Sequence, residues 1–260
     1  MKLNVLRANP AGNITLFVLD PVPQGDRAGI AARLMALPRF AAEQVGFVCP
    51  PRQGGAGRME MAGGEFCGNA TRAFGMLAAQ GLGNAPQVQV EVSGCDRPVT
   101  VDIDWAKGTA RTQMPLPRGM GRTEVDGHPG TLVDLGGIAH FVVEGVAPSQ
   151  AFLEQAEPLF RVIPDLEAYG VMFLDPAKHT ITPLVKVPAA GTLVWEGSCG
   201  SGSLAAAIAQ SQDAPDGSFT WDYTQPAGTV QATVIRRDGE HVSAWIGGPV
   251  CLDPPAEVEL

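Results

Sequence analysis

Two cysteines sit in matching local sequence. Cys67 lies in Glu65-Phe66-Cys67-Gly68-Asn69-Ala70-Thr71-Arg72-Ala73, and Cys199 in Gly197-Ser198-Cys199-Gly200-Ser201-Gly202-Ser203-Leu204-Ala205. Each has Gly at +1, a small polar residue at +2, a hydroxyl residue at +4 and Ala at +6. An Ala-rich apolar stretch that reads as a helix follows both. A cysteine at a helix start sees the positive end of the macrodipole and several unpaired N–H groups. That draws a thiol's pKa from about 8.5 toward neutrality. The small residues after it let backbone N–H groups approach an anion closely. Two such starts would hold one carboxylate between them, with a sulfur on either face of the adjacent carbon. One thiolate then removes the α-proton, the opposite thiol delivers another, and configuration inverts. Cys67 and Cys199 are therefore the expected acid/base pair. The N–H groups of Gly68, Asn69, Gly200 and Ser201 are the expected carboxylate site, with the helix dipoles stabilising the developing enolate-like charge.

The remaining candidates read more plainly. An isolated Cys in an apolar segment is usually an inert buried hydrophobe, and Cys49, Cys95 and Cys251 are taken that way. Five cysteines with no C-x-x-C fit neither a disulfide framework nor a zinc site. A bridge between Cys67 and Cys199 would be of the reactive kind. His128, His140, His179 and His241 are scattered, none at ligand spacing from a Cys, so no metal is expected. The four lysines, Lys2, Lys107, Lys178 and Lys186, lie in no phosphate-cradling context, so pyridoxal phosphate is not expected either.

The chain has 260 residues, a 45% hydrophobic content and room for one large core or two lobes. Its 32 Gly and 22 Pro imply many tight turns and a strand-rich fold. A formal charge of −9 and no Lys/Arg run beyond two residues argue against nucleic acid and anionic membrane as partners. Asn and Arg interrupt the N-terminal apolar residues, and no apolar run is long enough to span a bilayer, so a cytoplasmic protein without a signal peptide is expected. Short β-type runs alternate with turn residues throughout. Helices are expected at Arg27–Leu37, Gly68–Gln80, Gln150–Phe160 and Gly200–Gln212. The order is two rounds of strands, each with one Cys-headed helix. A strand-rich shell around that helix would account for its nearly continuous apolar sequence. Pro115–Gly121 is the expected linker, dividing the chain into 1–118 and 119–260, with the last strand free to return to the first lobe.

Gly63-Gly64-Glu65-Phe66-Cys67-Gly68-Asn69 and Ser198-Cys199-Gly200-Ser201-Gly202 resemble the two cysteine motifs of the diaminopimelate epimerases, racemases independent of pyridoxal phosphate. Gly12-Asn13, Ala42-Glu43-Gln44 and Gly248-Pro249 resemble further landmarks of that family. The resemblance implies an α+β fold of two pseudo-symmetric lobes, each a strand-rich barrel around a central helix, with the active site in the cleft between them. It also implies that Asn13 and Gln44 line that cleft, that the substrate is an amino acid, and that the protein is a homodimer. The departures lie at the distal end of the substrate. The Glu-Arg pair normal before the second cysteine is missing from Trp195-Glu196-Gly197-Ser198-Cys199. The Gly-Asn-Pro-His turn appears as Gly137-Ile138-Ala139-His140, and Gly170 stands where another substrate-binding Asn would be. Loss of a bidentate Arg contact removes the grip on a second carboxylate. The expectation is an amino-acid racemase acting on something other than diaminopimelate, either histidine or a neutral amino acid, with Trp195 and Met172 as side-chain pocket or core. The alternatives are diaminopimelate epimerase itself, a phenazine-biosynthesis-type isomerase, for which Cys199 would be superfluous, and a non-catalytic binding protein. Whether Glu65 or Glu196 assists the cysteines stays open.

Overall fold

The computed structural model describes residues 1–188 and 191–260 as two compact units, Met1–Gln113 with Gly247–Leu260 and Met114–Ile246. Both are dominated by mixed sheet, with few helices. In the first unit β1 (Lys2–Asn9) and β2 (Thr15–Val18) are antiparallel, and α1 (Arg27–Met35) carries the chain to β3 (Gln44–Cys49), parallel to β2. β4 (Arg58–Met61) turns back against β3. The helix α2 (Gly68–Gln80) then leads to β5 (Gln87–Val92), parallel to β4, and β6 (Val99–Asp104) and β7 (Thr109–Gln113) follow as an antiparallel meander.

The second unit repeats this order. β8 (Gly119–Val125) and β9 (His128–Asp134) form a hairpin, and β9 pairs antiparallel with β10 (Ile138–Glu144). Through α3 (Gln150–Phe160) the chain reaches β11 (Ala168–Asp175), parallel to β10, and β12 (Thr180–Val187) reverses against it. The short β13 (Thr192–Trp195) precedes α4 (Gly200–Ser211). β14 (Gly217–Gln225), which touches β12 in parallel, then pairs with β15 (Gly228–Arg237). β16 (Glu240–Pro249) carries the chain back to the first unit, where β17 (Cys251–Leu252) and β18 (Ala256–Glu259) pair antiparallel with β1.

Apolar spacing explains which helices sink. α1 and α3 bury one stripe each: Ile30, Ala31 and Leu34 in one, and Phe152, Leu153, Ala156 and Phe160 in the other. In α2 and α4 nearly every position is small or apolar. Buried residues run through Ala70–Met76 and Gly202–Ile208, against β5–β7 and against β14, β15 and β10 respectively. Each fully buried aliphatic side chain there contributes about 1.5–3 kcal/mol.

The expected bounds hold for Gly68–Gln80 and Gln150–Phe160, while the other two helices end one or two residues sooner. The linker is different from the expectation. Met114 donates its N–H to Ala244 and Arg118 to Asp134, which ties Met114–Arg118 to the second unit. Gly119–Gly121 are already strand, so the division falls at Gln113–Met114. The β8–β9 turn is Asp126-Gly127, both at positive φ (51° and 75°), the geometry of a two-residue hairpin loop. Among the described residues no helix is long and apolar enough to cross a membrane.

Candidate active site

Both cysteines cap their helices in the same way. Cys67, with φ −125° and ψ 110°, precedes α2, and its sulfur accepts the Ala70 N–H at 3.5 Å. Cys199, with φ −113° and ψ 110°, precedes α4 and accepts the Gly202 N–H at 3.3 Å. Here a thiol does what a Ser or Asp side chain does at an ordinary helix start. The hydroxyl four residues on closes the turn: Thr71 Oγ1 donates to the Cys67 carbonyl at 2.7 Å, and Ser203 Oγ to that of Cys199 at 2.8 Å. The duplicated +4 hydroxyl thus has a mechanical reason. Helix geometry leaves the N–H groups of Gly68 and Asn69, and of Gly200 and Ser201, without an intrahelical acceptor beside each sulfur.

In the first unit the structure gathers three expected residues. Cys67 Sγ lies 3.9 Å from Asn13 Oδ1, which also accepts a 2.8 Å hydrogen bond from Gln44 Nε2. Gln44 bonds Thr15 as well, and Asn13 Nδ2 donates to Glu43 Oε2 at 2.7 Å. Register explains the meeting, because β2 and β3 pair in parallel with Thr15 opposite Gln44. Glu43 was seen in sequence only as a neighbour of Gln44. Burial raises its carboxyl pKa, and the Asn13 bond partly opposes this.

The second unit surrounds its cysteine differently. Cys199 is buried, its N–H bonds Gln225 Oε1 at 2.7 Å, and Gln225 Nε2 donates to Ser203 Oγ at 2.8 Å. Burial pushes the Cys199 thiol well up, the Glu196 charge and hydrogen bond push further, and Ser201 and the Gly202 N–H oppose them. Glu196 thus acts on Cys199, in the direction that favours the neutral thiol. Ser201 Oγ lies 3.5 Å from Cys199 Sγ and 2.8 Å from His140 Nε2. His140 has no exposure, burial lowers its pKa to about 3, and it is a neutral imidazole. A Cys–Ser–His chain therefore runs inward from Cys199. In sequence, His140 stands out only as the end of an altered turn.

Other expectations move. Gly170 is on β11, and a Cβ there would lie 2.4 Å from the Leu184 carbonyl oxygen, so close strand packing excludes an Asn. Met172 is wholly buried, with its Sδ 2.1 Å from where a Gly202 Cβ would be, which makes it core beneath the α4 start. Trp195 is 42% exposed and tilts over Phe173 with ring centroids 6.2 Å apart. Among the remaining cysteines Cys49 and Cys95 are partly buried, whereas Cys251 is exposed, against the buried reading, since it is the outward residue of β17 while Leu252 turns partly inward. Among the described residues no three His, Cys, Asp or Glu side chains gather as a metal site requires.

A family model described as the histidine racemase CntK N-terminal domain matches residues 2–253. A histidine racemase of Fusobacterium nucleatum subsp. nucleatum is 31% identical over 221 residues, 78% of each chain. A histidine racemase of Staphylococcus aureus is 28% identical over 240 residues, 88% of this chain and 87% of the other. In fold the chain is similar to a Bacillus anthracis phenazine biosynthesis protein of the PhzF family, with TM-score 0.72 and 13% identity over the whole of both chains.

Proposed function

The chain belongs to the histidine racemase CntK N-terminal domain family, and from that premise we propose that it inverts the α-carbon of histidine with two cysteine thiols and no cofactor. Membership makes it an amino-acid racemase, an isomerase. The observation that carries the mechanism is the duplicated thiol-capped helix start, where helix geometry leaves the first N–H groups without an intrahelical acceptor. On this reading Cys67 and Cys199 reach one α-carbon from opposite faces. The thiolate of one takes the α-proton into its S–H bond, and the electron pair left on carbon delocalises into the carboxylate as an enolate-like species. The thiol of the other then gives its proton to the opposite face. The N–H groups of Gly68, Asn69, Gly200 and Ser201 hold the carboxylate, where the charge develops. Asn13 and Gln44 orient the substrate beside Cys67. Each unit is read as a strand-rich barrel about its capped helix. The likeness to a PhzF protein, at 13% identity, is one of fold and does not favour that chemistry.

The test is α-proton exchange in deuterated water, followed by NMR, on histidine, diaminopimelate and several neutral amino acids. The parent should exchange and racemise histidine after dialysis against chelator and hydroxylamine. Cys67→Ala and Cys199→Ala should each lose racemisation, and full activity in either would sink the mechanism. Without the Arg before Cys199, diaminopimelate should be poorer in kcat/KM by one to several powers of ten, corresponding to about 2–5 kcal/mol for a lost buried charge pair.

A further inference from the structure

The two capped helix starts differ at one charged position. Five residues after its cysteine α2 has Arg72, where α4 has Leu204. Arg72 has no solvent exposure. Removing a guanidinium from water is costly unless an anion accompanies it. No carboxylate forms a salt bridge with it among the described residues. Nε donates to Asn69 Oδ1 at 3.2 Å, and Nη1 to the Gly248 and Pro249 carbonyls at 3.0 and 2.9 Å, all neutral acceptors. Nη2 is buried and has no hydrogen-bond partner among the described residues.

The charges on the strands against α2 are engaged elsewhere. Glu91 on β5 takes the N–H groups of Arg52, Gln53 and Gly55. Asp102 on β6 pairs with Arg111 on β7, and Asp104 with Lys107. β17 contributes only the exposed Cys251. Glu43 is tied to Asn13, which meets Cys67, and Glu65 stands two residues before the thiol. Through Asn69, two residues after Cys67, the guanidinium is tied to the first turn of the helix that Cys67 caps; burial lowers its pKa to about 9, and the nearby Cys67 opposes that lowering. At neutral pH Arg72 is therefore still a cation.

We propose that Arg72 is a positioning residue for Cys67: a fixed buried cation, absent from the second helix, that holds Cys67 as the thiolate of the resting enzyme. The Asn69 clamp and the Gly248 and Pro249 carbonyls keep that charge in place. Cys199, buried beside Glu196 with Leu204 in the corresponding position, stays protonated. The pair is thus pre-set with its base on the first unit and its acid on the second. This rests on the two-thiol reading of the site.

The test titrates thiolate absorbance at 240 nm in the full chain, assigning each cysteine by subtracting the Cys67→Ser or Cys199→Ser variant. In the parent, Cys67 should ionise at lower pH than Cys199. Arg72→Met should raise the Cys67 midpoint by about one to three pH units and leave Cys199 unmoved, while Arg72→Lys should restore most of the shift. An Arg72→Met protein with parental circular dichroism and an unmoved Cys67 titration overturns the proposal. So does a parental Cys67 midpoint at or above that of Cys199, a result available even if Arg72→Met does not fold. Racemisation is read separately. An active Cys67→Ala variant rejects the two-thiol mechanism, whereas the titration alone tests the role of Arg72.

Discussion

His140 should make the protein acid-labile in a way one substitution removes. Burial lowers its pKa from 6.5 to about 3, and no polar group meets Nδ1 among the described residues. In the unfolded chain the imidazole takes up a proton as pH falls through about 6.5, and the native protein refuses it until about pH 3. The native state's advantage is therefore intact above about pH 6.5 and declines below it by about 1.4 kcal/mol per pH unit. At pH 5 the loss is about 2 kcal/mol, a large share of a stability that is typically about 5–15 kcal/mol. Urea unfolding followed by tryptophan fluorescence at pH 7.5 and pH 5.0 measures it, in the parent and in His140→Gln. The parent should lose about 2 kcal/mol more than the variant between those two pH values. His241, whose pKa burial also lowers, and Glu43, whose raised pKa acts in the opposite sense, are present in both proteins and cancel in the difference. Equal losses in the two proteins would refute the reasoning and mean that His140 is solvated or protonated in the native state.

Three further outcomes follow from the same contacts. A Cβ at Gly202 would sit 2.1 Å from Met172 Sδ and 3.1 Å from Cys199 Sγ; Gly202→Ala should cost about 1–3 kcal/mol by overpacking and displace the thiol, so parental Tm together with parental kcat would contradict the packing argument. Gln225→Met removes the acceptor of the Cys199 N–H and the donor to Ser203; denaturant titration should show a loss of about 1–3 kcal/mol for each buried group left unpaired, and no loss would mean that water replaces the amide. Mild diamide treatment should abolish racemisation reversibly, with peptide mapping locating a Cys67–Cys199 bridge that dithiothreitol opens; a bridge to Cys251 instead would count against a facing pair.

The sequence by itself determined what depends on neighbours along the chain. The cap, the small residues after it, the +4 hydroxyl and the apolar run are all local, so both thiol-headed helices were legible from Cys67 and Cys199. The amphipathic stripe of α3 was legible for the same reason. β8 was not, because its exposed Gly-Met-Gly-Arg carries no buried face and becomes a strand only through its pairing with β9. Tertiary structure alone decided which partners each thiol meets. Parallel pairing of β2 with β3 brings Asn13 and Gln44 to Cys67, and the fold of the second unit places His140 behind Ser201 and Gln225 under Cys199. The return of the chain end sets the Gly248 and Pro249 carbonyls on Arg72. Strand register and burial, which act between residues distant in sequence, thus surround two nearly identical motifs with different groups, a buried Arg72 on the first helix and a Ser201–His140 chain at the second.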